Sequence, residues 1–241
     1  MAGDKRDPNL PADQSTRSDI DALLQKVAAT PVQGPVGRRG RLLFAVDATA
    51  SREPTWDMAC QIQSEMFTST DDLGGLEVQL AFYRGFGEMK VTSWLDSPDE
   101  LVRRMLKVRC LAGRTQIRKL LRHTLKETKS EKVDAVVFVG DVVEEDIDEL
   151  GHQAGKLGLV GTPIFVFHEG GEPTSRRAFE QIARLSGGAY CSFDAGSAQQ
   201  LRDLLAAVAV FSAGGRRALA DLGKSRGGRV LQIADQMSGK R

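Results

Sequence analysis

Short uninterrupted apolar runs alternate along this chain with segments in which apolar residues recur every three or four positions. Uninterrupted runs are typical of strands buried in a parallel sheet, and the helical spacing indicates helices that place one face on that sheet. The pattern predicts strands at 41–47, 76–83, 88–95, 133–139, 163–167 and 189–193. It predicts helices at 53–67, 98–107, 116–126, 144–156, 176–185 and 197–211.

The connections between these elements predict the topology. Residues 84–87, Arg-Gly-Phe-Gly, join the second and third strands, and so short a connection requires an antiparallel hairpin. The remaining strands are separated by helices, which predicts parallel pairing with right-handed crossovers. We therefore expect a three-layer, doubly wound α/β fold with helices on both faces. Its mainly parallel sheet has the order 3-2-1-4-5-6 and one antiparallel edge strand, and a crevice opens between strands 1 and 4.

The same pattern suggests one domain with two extensions. Residues 41–212 form the predicted domain. Residues 1–40 read as a disordered start, a short amphipathic helix opened by Ser18, and a linker, and residues 213–241 read as a flexible basic tail.

The charge, the cysteines and the apolar runs of the chain limit the classes of function that we expect. The 241 residues carry a net charge of +1, which gives no electrostatic case for nucleic acid or a membrane surface. Cys60, Cys110 and Cys191 are widely spaced, as expected for reduced, packed thiols. The chain shows neither an apolar run of about 18 residues nor a signal-peptide pattern. We expect a cytoplasmic protein that binds neither membrane nor nucleic acid.

The candidate chemistry lies where strands end. Asp47, Thr49 and Ser51 follow the first strand, Asp141 closes the fourth, and Thr115 precedes a helix. Because the carboxyl ends of strands 1 and 4 flank the predicted crevice, we expect these side chains to meet there. Their donors are all oxygens, which suits a hard divalent cation such as Mg²⁺.

Four of these residues, all but Thr49, also have a simpler explanation. Ser51 and Thr115 precede helices and could be N-caps, and acids are favoured near helix N-termini. The joint placement around one crevice favours the metal site.

The ordered set resembles the von Willebrand factor A (vWA) domain, whose metal-ion-dependent adhesion site (MIDAS) has the form Asp-x-Ser-x-Ser, a lone Thr and a lone Asp. The resemblance covers roughly residues 41–212, including the hairpin, and points to a stand-alone, bacterial-type domain. Thr49 replaces the first Ser of the pattern, which keeps the hydroxyl and adds a methyl group. The resemblance implies five ligands to Mg²⁺ or Mn²⁺: Asp47, Thr49, Ser51, Thr115 and Asp141.

What the resemblance implies for function is binding rather than catalysis. In this family the last coordination position is open to a carboxylate from a partner protein, so the chain is expected to be an interaction module and not an enzyme. Proteins with this domain often work beside ring ATPases, which implies a partner within an ATPase or chaperone assembly.

Three further residues are candidates for contacting that partner. Trp56 could be an aromatic anchor beside the metal, although its helical spacing with Cys60 favours a core position. Arg114 could meet an incoming carboxylate or face water. His168 is predicted to be a loop residue that shapes the partner surface, or an acid or base at the rim.

Two other functions stay open. The chain weakly resembles the haloacid dehalogenase phosphotransferases, in which Asp47 would be the nucleophile and Mg²⁺ would neutralise phosphate charge. That family's phosphatases place a second acid two residues later, where this chain has Thr49. A scaffold whose ion is purely structural, or absent, is the third possibility.

Overall fold

The computed structural model describes residues 39–62, 75–193, 202, 205–214 and 218. Its strands are β1 (Gly40–Asp47), β2 (Leu76–Arg84), β3 (Glu88–Val91), β4 (Ala135–Gly140), β5 (Ile164–Glu169) and β6 (Ala189–Phe193). Its helices are α1 (Glu53–Ile62), α2 (Pro98–Met105), α3 (Ile117–Ser130), α4 (Ile147–Leu159) and α5 (Pro173–Ser186). A single 3-10 turn, Ala50–Arg52, precedes α1, and residues 205–214 are also helical.

The six strands form one sheet in the order β3-β2-β1-β4-β5-β6, which confirms the predicted order. Among the paired strands of the described residues, only β2 and β3 run antiparallel. β1 lies between β2 and β4, with Asp47 opposite Tyr83 and Val46 opposite Val139. This register brings the carboxyl ends of β1 and β4 side by side.

Helices cover both faces of the sheet, and β1 is therefore buried along its whole length. Alternate side chains of a strand point to opposite faces, so Phe44 and Leu43 belong to different layers of the core. The Phe44 layer packs against α1, α2 and the helical residues 205–211. The Leu43 layer packs against α3, α4 and α5. The result is the predicted three-layer α/β architecture.

Several element boundaries differ from the sequence prediction, among them those of β3, β5 and α4. β3 ends at Val91, and beyond it the chain contacts β2 through Thr92, whose N–H donates to the Leu80 carbonyl at 2.9 Å, and through a bridge between Leu95 and Val78. β5 runs on to Glu169, so His168 lies in a strand and not in a loop. α4 begins at Ile147 instead of residue 144, because the Asp146 side chain caps it by accepting from the backbone N–H of Glu149 at 2.9 Å.

The predicted extensions lie mostly outside the described residues. These include the N-terminal helix and linker within residues 1–38 and most of the tail after 212, where residues 213, 214 and 218 are helical. In the part of the chain that the structure describes, no helix has the length and apolar character needed to cross a bilayer. Cys60, Cys110 and Cys191 are free thiols, and burial raises the pKa of Cys60 and of Cys110 to about 11.

Candidate metal centre

Asp47 is a buried carboxylate at the end of β1, with 1% of its surface exposed. One carboxylate oxygen, Oδ1, accepts from the backbone N–H of Thr49 at 2.7 Å. The other, Oδ2, accepts from the hydroxyl of Tyr83, the residue opposite it on β2, at 3.1 Å. The first bond turns the chain sharply after the strand, as Asp side chains commonly do in loops. Both bonds hold the carboxylate in one orientation.

A chain of oxygen contacts leads outward from Asp47. The hydroxyls of Thr49 and Ser51 lie 3.4 Å apart, and Ser51 Oγ donates to Asp141 Oδ2 at 3.0 Å. Ser51 stands in the 3-10 turn after β1 and Asp141 directly follows β4, so the adjacency of these strands brings the two residues together across 90 positions. Exposure increases from buried Asp47 through half-buried Thr49 to exposed Ser51. Four of the five predicted ligands therefore line a cleft that opens to solvent.

The electrostatics of this cleft favour a cation. Burial raises the pKa of Asp47 to about 6, the negative charge of Asp141 adds to the rise, and the hydrogen bonds from Thr49 and Tyr83 oppose it. Burial also raises the pKa of Tyr83 well above its ordinary value, with Asp47 contributing, so Tyr83 stays protonated and donates. A buried carboxylate with a second one nearby gains from any positive charge placed between them.

Thr115 occupies the neighbouring loop and is bonded differently from the other four. Its hydroxyl accepts from the backbone N–H of Glu144 at 3.1 Å, and its own N–H donates to Glu144 Oε2 at 2.9 Å. Within the described part of the chain, its hydrogen bonds go to Glu144 and do not reach the other predicted ligands. The loop is nevertheless tied to the end of β1, because the N–H of Leu111 donates to the carbonyl of Ala48 at 3.1 Å.

The simpler explanation for Thr115, an N-cap, does not hold. α3 begins after Gln116, whose side chain makes no capping bond. The cap comes from the loop after β4, where Glu145 accepts from the N–H groups of Ile117 at 2.5 Å and Arg118 at 3.0 Å. Sequence reasoning placed Glu144 and Glu145 at the start of a helix. They instead connect the Thr115 loop to the Asp141 loop, and no local pattern signals this.

Sequence reasoning also missed Arg52, which is buried directly beside Asp141. Only 3% of its surface is exposed, and its Nη1 lies 3.6 Å from Asp141 Oδ2. Its Nη2 pairs with Glu169 at the end of β5 and donates to Thr55 Oγ1 at 2.5 Å. An arginine in a polar stretch at the start of a helix is normally solvated, so the sequence carries no sign of this position.

Two of the three predicted partner-binding residues are corrected by the structure. Trp56 is 3% exposed, packs edge-on against Phe82, and donates from Nε1 to the carbonyl of Met105 at 3.2 Å. His168 is fully buried within β5 and contacts Phe179 and Tyr190. Because neither side chain reaches solvent, neither offers a partner a surface.

The third residue, Arg114, is exposed, and exposed apolar side chains lie on nearby loops. Phe86 at the hairpin tip is 86% exposed, and Leu111 and Val142 are also exposed. The Gly85 N–H donates to the Leu111 carbonyl at 3.5 Å, and the Arg114 N–H donates to the Gly85 carbonyl at 3.0 Å. The hairpin tip and the 111–114 loop therefore form one unit at this edge of the sheet.

His168 positions the backbone of Asp141 through a hydrogen bond. Its Nε2 lies 2.9 Å from the backbone carbonyl of Asp141 and its Nδ1 lies 2.8 Å from the Tyr190 hydroxyl. Since a carbonyl only accepts, Nε2 carries the proton and Nδ1 accepts from Tyr190. Burial lowers the pKa of His168, which keeps the ring neutral near pH 7.

Replacing His168 with leucine leaves the Asp141 carbonyl and the Tyr190 hydroxyl without this partner. We expect a loss of about 1 to 3 kcal/mol in the free energy of unfolding, measured by urea denaturation at pH 7. His152, which is exposed on α4, is the matched control, and its leucine variant should stay within about 0.5 kcal/mol of the parent. Equal effects of the two substitutions would contradict the positioning role.

The donor set indicates which kind of ion would fit. Among the described residues, no group of three or more His, Cys, Asp and Glu is arranged to hold a metal. The cleft offers two carboxylates and two hydroxyls, with Thr115 one loop away. An all-oxygen set that leaves room for waters fits the preferences of Mg²⁺ and Mn²⁺. That these residues bind a metal stays a prediction.

Comparison with protein-family models and with curated proteins found no match. Among solved structures, the chain is similar to the SpRpn10 VWA domain, with 14% identity, a TM-score of 0.55, and coverage of 70% of this chain and 94% of that one. It is also similar to proximal thread matrix protein 1 from the mussel byssus, in a structure with a zinc-occupied MIDAS motif. That match has 13% identity and a TM-score of 0.58, and it covers 74% of this chain and 48% of the other.

A third similar structure is the D319A mutant of the PilB minor pilin from Streptococcus sanguinis, with 10% identity and a TM-score of 0.54. The match covers 74% of this chain and 62% of the pilin, so the chain spans only part of the pilin and about half of the byssus protein. At these identities the similarity shows the fold alone. The chain therefore has a vWA-like fold.

Proposed function

We propose that this vWA-like chain is a metal-dependent protein-interaction module. Asp47, Thr49, Ser51 and Asp141 would hold a divalent cation, Mg²⁺ or Mn²⁺, and the Thr115 loop would complete the site. The observation that carries the proposal is the contact of Ser51 with Asp141 at 3.0 Å, above the buried carboxylate of Asp47. When bound, the ion supplies a positive centre that attracts a carboxylate of a partner protein.

The surroundings of the cleft suggest what else the partner carries. Phe86 and Leu111 project from the loops tied to the end of β1, and Arg114 is exposed between them and Thr115. A carboxylate flanked by an apolar side chain would match both the cation and these loops. We place this partner in the cytoplasm on the spacing of the cysteines and the lack of a signal-peptide pattern, and within an ATPase or chaperone assembly on the family resemblance alone.

Phosphotransfer by Asp47 finds little support in the geometry. A nucleophile must reach the phosphorus atom, whereas Asp47 is 1% exposed and both of its oxygens accept hydrogen bonds. We therefore propose that the chain is not an enzyme.

The test is a pull-down with the tagged full chain, run in Mg²⁺ and in EDTA, beside an assay with a generic phosphate ester. The partner should be captured by the parent in Mg²⁺, and lost in EDTA and with Asp47→Asn. Asp134→Asn is the control, because Asp134 is a buried acid beside the start of β1, where it accepts from the Arg41 N–H at 2.8 Å. Capture that persists in EDTA would overturn the metal dependence, and ester turnover lost with Asp47→Asn would favour the enzyme.

The exposed hairpin tip makes a separate prediction. Phe86→Ser should reduce capture of that partner at least tenfold without changing the melting temperature, because Phe86 is 86% exposed and contributes little to the core. Leu159→Ser, at an exposed position at the end of α4, is the control and should capture normally. Unchanged capture by the Phe86 variant would remove the hairpin tip from the interface.

A further inference from the structure

Arg52 is a buried cation in contact with a predicted metal ligand. Its guanidinium lies 3.6 Å from Asp141 Oδ2, the same oxygen to which Ser51 donates. An arginine stays charged in any protein environment, so this positive charge is permanent. It therefore acts on the carboxylate of Asp141 whether or not an ion is present.

A second carboxylate holds Arg52 in place. Gly140 pairs with His168 in the sheet, which puts Asp141 and Glu169 side by side at the ends of β4 and β5. The guanidinium reaches both acids, and Thr55 contacts both Arg52 and Glu169. Arg52 is thus a fixed clamp across two strand ends and cannot leave freely when an ion arrives.

The consequence for the cleft is electrostatic competition. In the absence of a metal, Arg52 offsets the negative charge of Asp141 and lowers the repulsion between Asp141 and Asp47. A divalent cation entering the cleft meets this positive charge a few ångströms away, in a partly buried site where charges are weakly screened. The same contact that stabilises the metal-free state therefore opposes metal binding.

We propose that the permanent positive charge of Arg52 lowers the affinity of the metal centre for its divalent cation. The inference rests on the proposed function, since it assigns a regulating residue to the same site. It implies that the centre binds its ion more weakly than the ligand set alone would allow, and that the metal-free form is a stable state of the protein.

The experiment is calorimetric titration of the full chain with Mn²⁺ at pH 7. Arg52→Gln should bind Mn²⁺ at least tenfold more tightly than the parent, whereas Arg52→Lys, which keeps the charge, should stay within about threefold. Arg41→Gln is the matched control. Arg41 is also a buried, ion-paired arginine, but it lies near the opposite end of β1, and its loss should leave Mn²⁺ affinity unchanged.

The outcomes separate this inference from the proposed function. If the parent binds Mn²⁺ and Arg52→Gln binds it with equal or weaker affinity, only the inference about Arg52 is overturned. That result would indicate a purely structural clamp, because removing such a clamp would weaken the site. No Mn²⁺ binding by the parent or by either Arg52 variant overturns the metal centre itself. If Arg52→Gln does not fold, the double variant Arg52→Gln/Glu169→Gln removes both charges together. That variant should still bind at least threefold more tightly than the parent, and equal or weaker binding overturns the inference.

Discussion

Replacing Asp47 with asparagine is expected to abolish divalent-cation binding and, at the same time, to stabilise the metal-free protein. The first effect follows because Asp47 is the innermost carboxylate of the cleft. The second follows because burial raises its pKa from 3.8 to about 6, which means that the charged form is disfavoured in the folded state. A rise of this size corresponds to a cost of up to about 3 kcal/mol at pH 7, which the neutral asparagine avoids.

The raised pKa of Asp47 also predicts how the stability advantage of Asp47→Asn changes with pH. A carboxyl whose folded pKa is raised destabilises the protein fully above that pKa and not at all below its unfolded value. The advantage of Asp47→Asn should therefore be largest at pH 7 and shrink as the pH falls through about 6 towards 3.8. An advantage that grew on acidification would contradict the assigned cause.

Thermal unfolding with and without Mg²⁺ measures both effects. At a hundred times its dissociation constant, a bound ion stabilises by about 2.7 kcal/mol, which raises the melting temperature of a chain of this size by roughly 5 to 10 °C. We expect the parent to show this rise and Asp47→Asn to show none. Asp134→Asn, the control at the other end of the sheet, should melt lower than the parent and keep the response to Mg²⁺.

Replacing Trp56 with alanine is expected to lower the free energy of unfolding by about 3 to 5 kcal/mol. Trp56 is 3% exposed, its ring meets that of Phe82 with centroids 5.6 Å apart, and its Nε1 donates to the Met105 carbonyl. Truncation would leave a large cavity between α1 and the sheet and would remove a hydrogen bond from the Met105 carbonyl, which still accepts from the Val108 N–H at 3.0 Å. Trp56→Phe fills most of that space and should cost less, about 1 to 2 kcal/mol.

Urea denaturation followed by circular dichroism checks the stability change, and partner capture by the folded fraction checks function. Leu159→Ala, at a position 90% exposed, is the control and should stay within about 0.5 kcal/mol of the parent. A Trp56→Ala protein of normal stability that fails to capture its partner would restore Trp56 as an interface residue.

The strand order could be anticipated from the sequence, and so could the grouping of four predicted ligands, Asp47, Thr49, Ser51 and Asp141. Both depend on local signals. A four-residue connection permits only a hairpin, and helices between the other strands permit only parallel pairing. Once β1 and β4 are neighbours, Asp47 and Asp141 must meet, because the strand ends lie at one edge of the sheet. The observed contact of Ser51 with Asp141 follows from that adjacency.

The surroundings of the cleft could not be anticipated, because their partners are set by contacts between distant segments. The helical spacing of Trp56 favours a core position, but nothing in the sequence indicates that Arg52, four positions earlier, is buried as well. Glu145 caps a helix that begins 28 positions earlier in the chain. The sequence pattern ends the fifth strand at residue 167, yet His168 belongs to β5 because its backbone pairs with β4 and β6.

The sequence by itself determined the order of the strands, the two faces of the core and the type of oxygen donor at the strand ends, since periodicity and loop length act locally. Only the tertiary structure decided how buried each carboxylate is, that Arg52 stands beside Asp141, and that Thr115 bonds to Glu144. Burial and charge pairing depend on how closely separate segments approach, which is a property of the packed chain and not of any single segment.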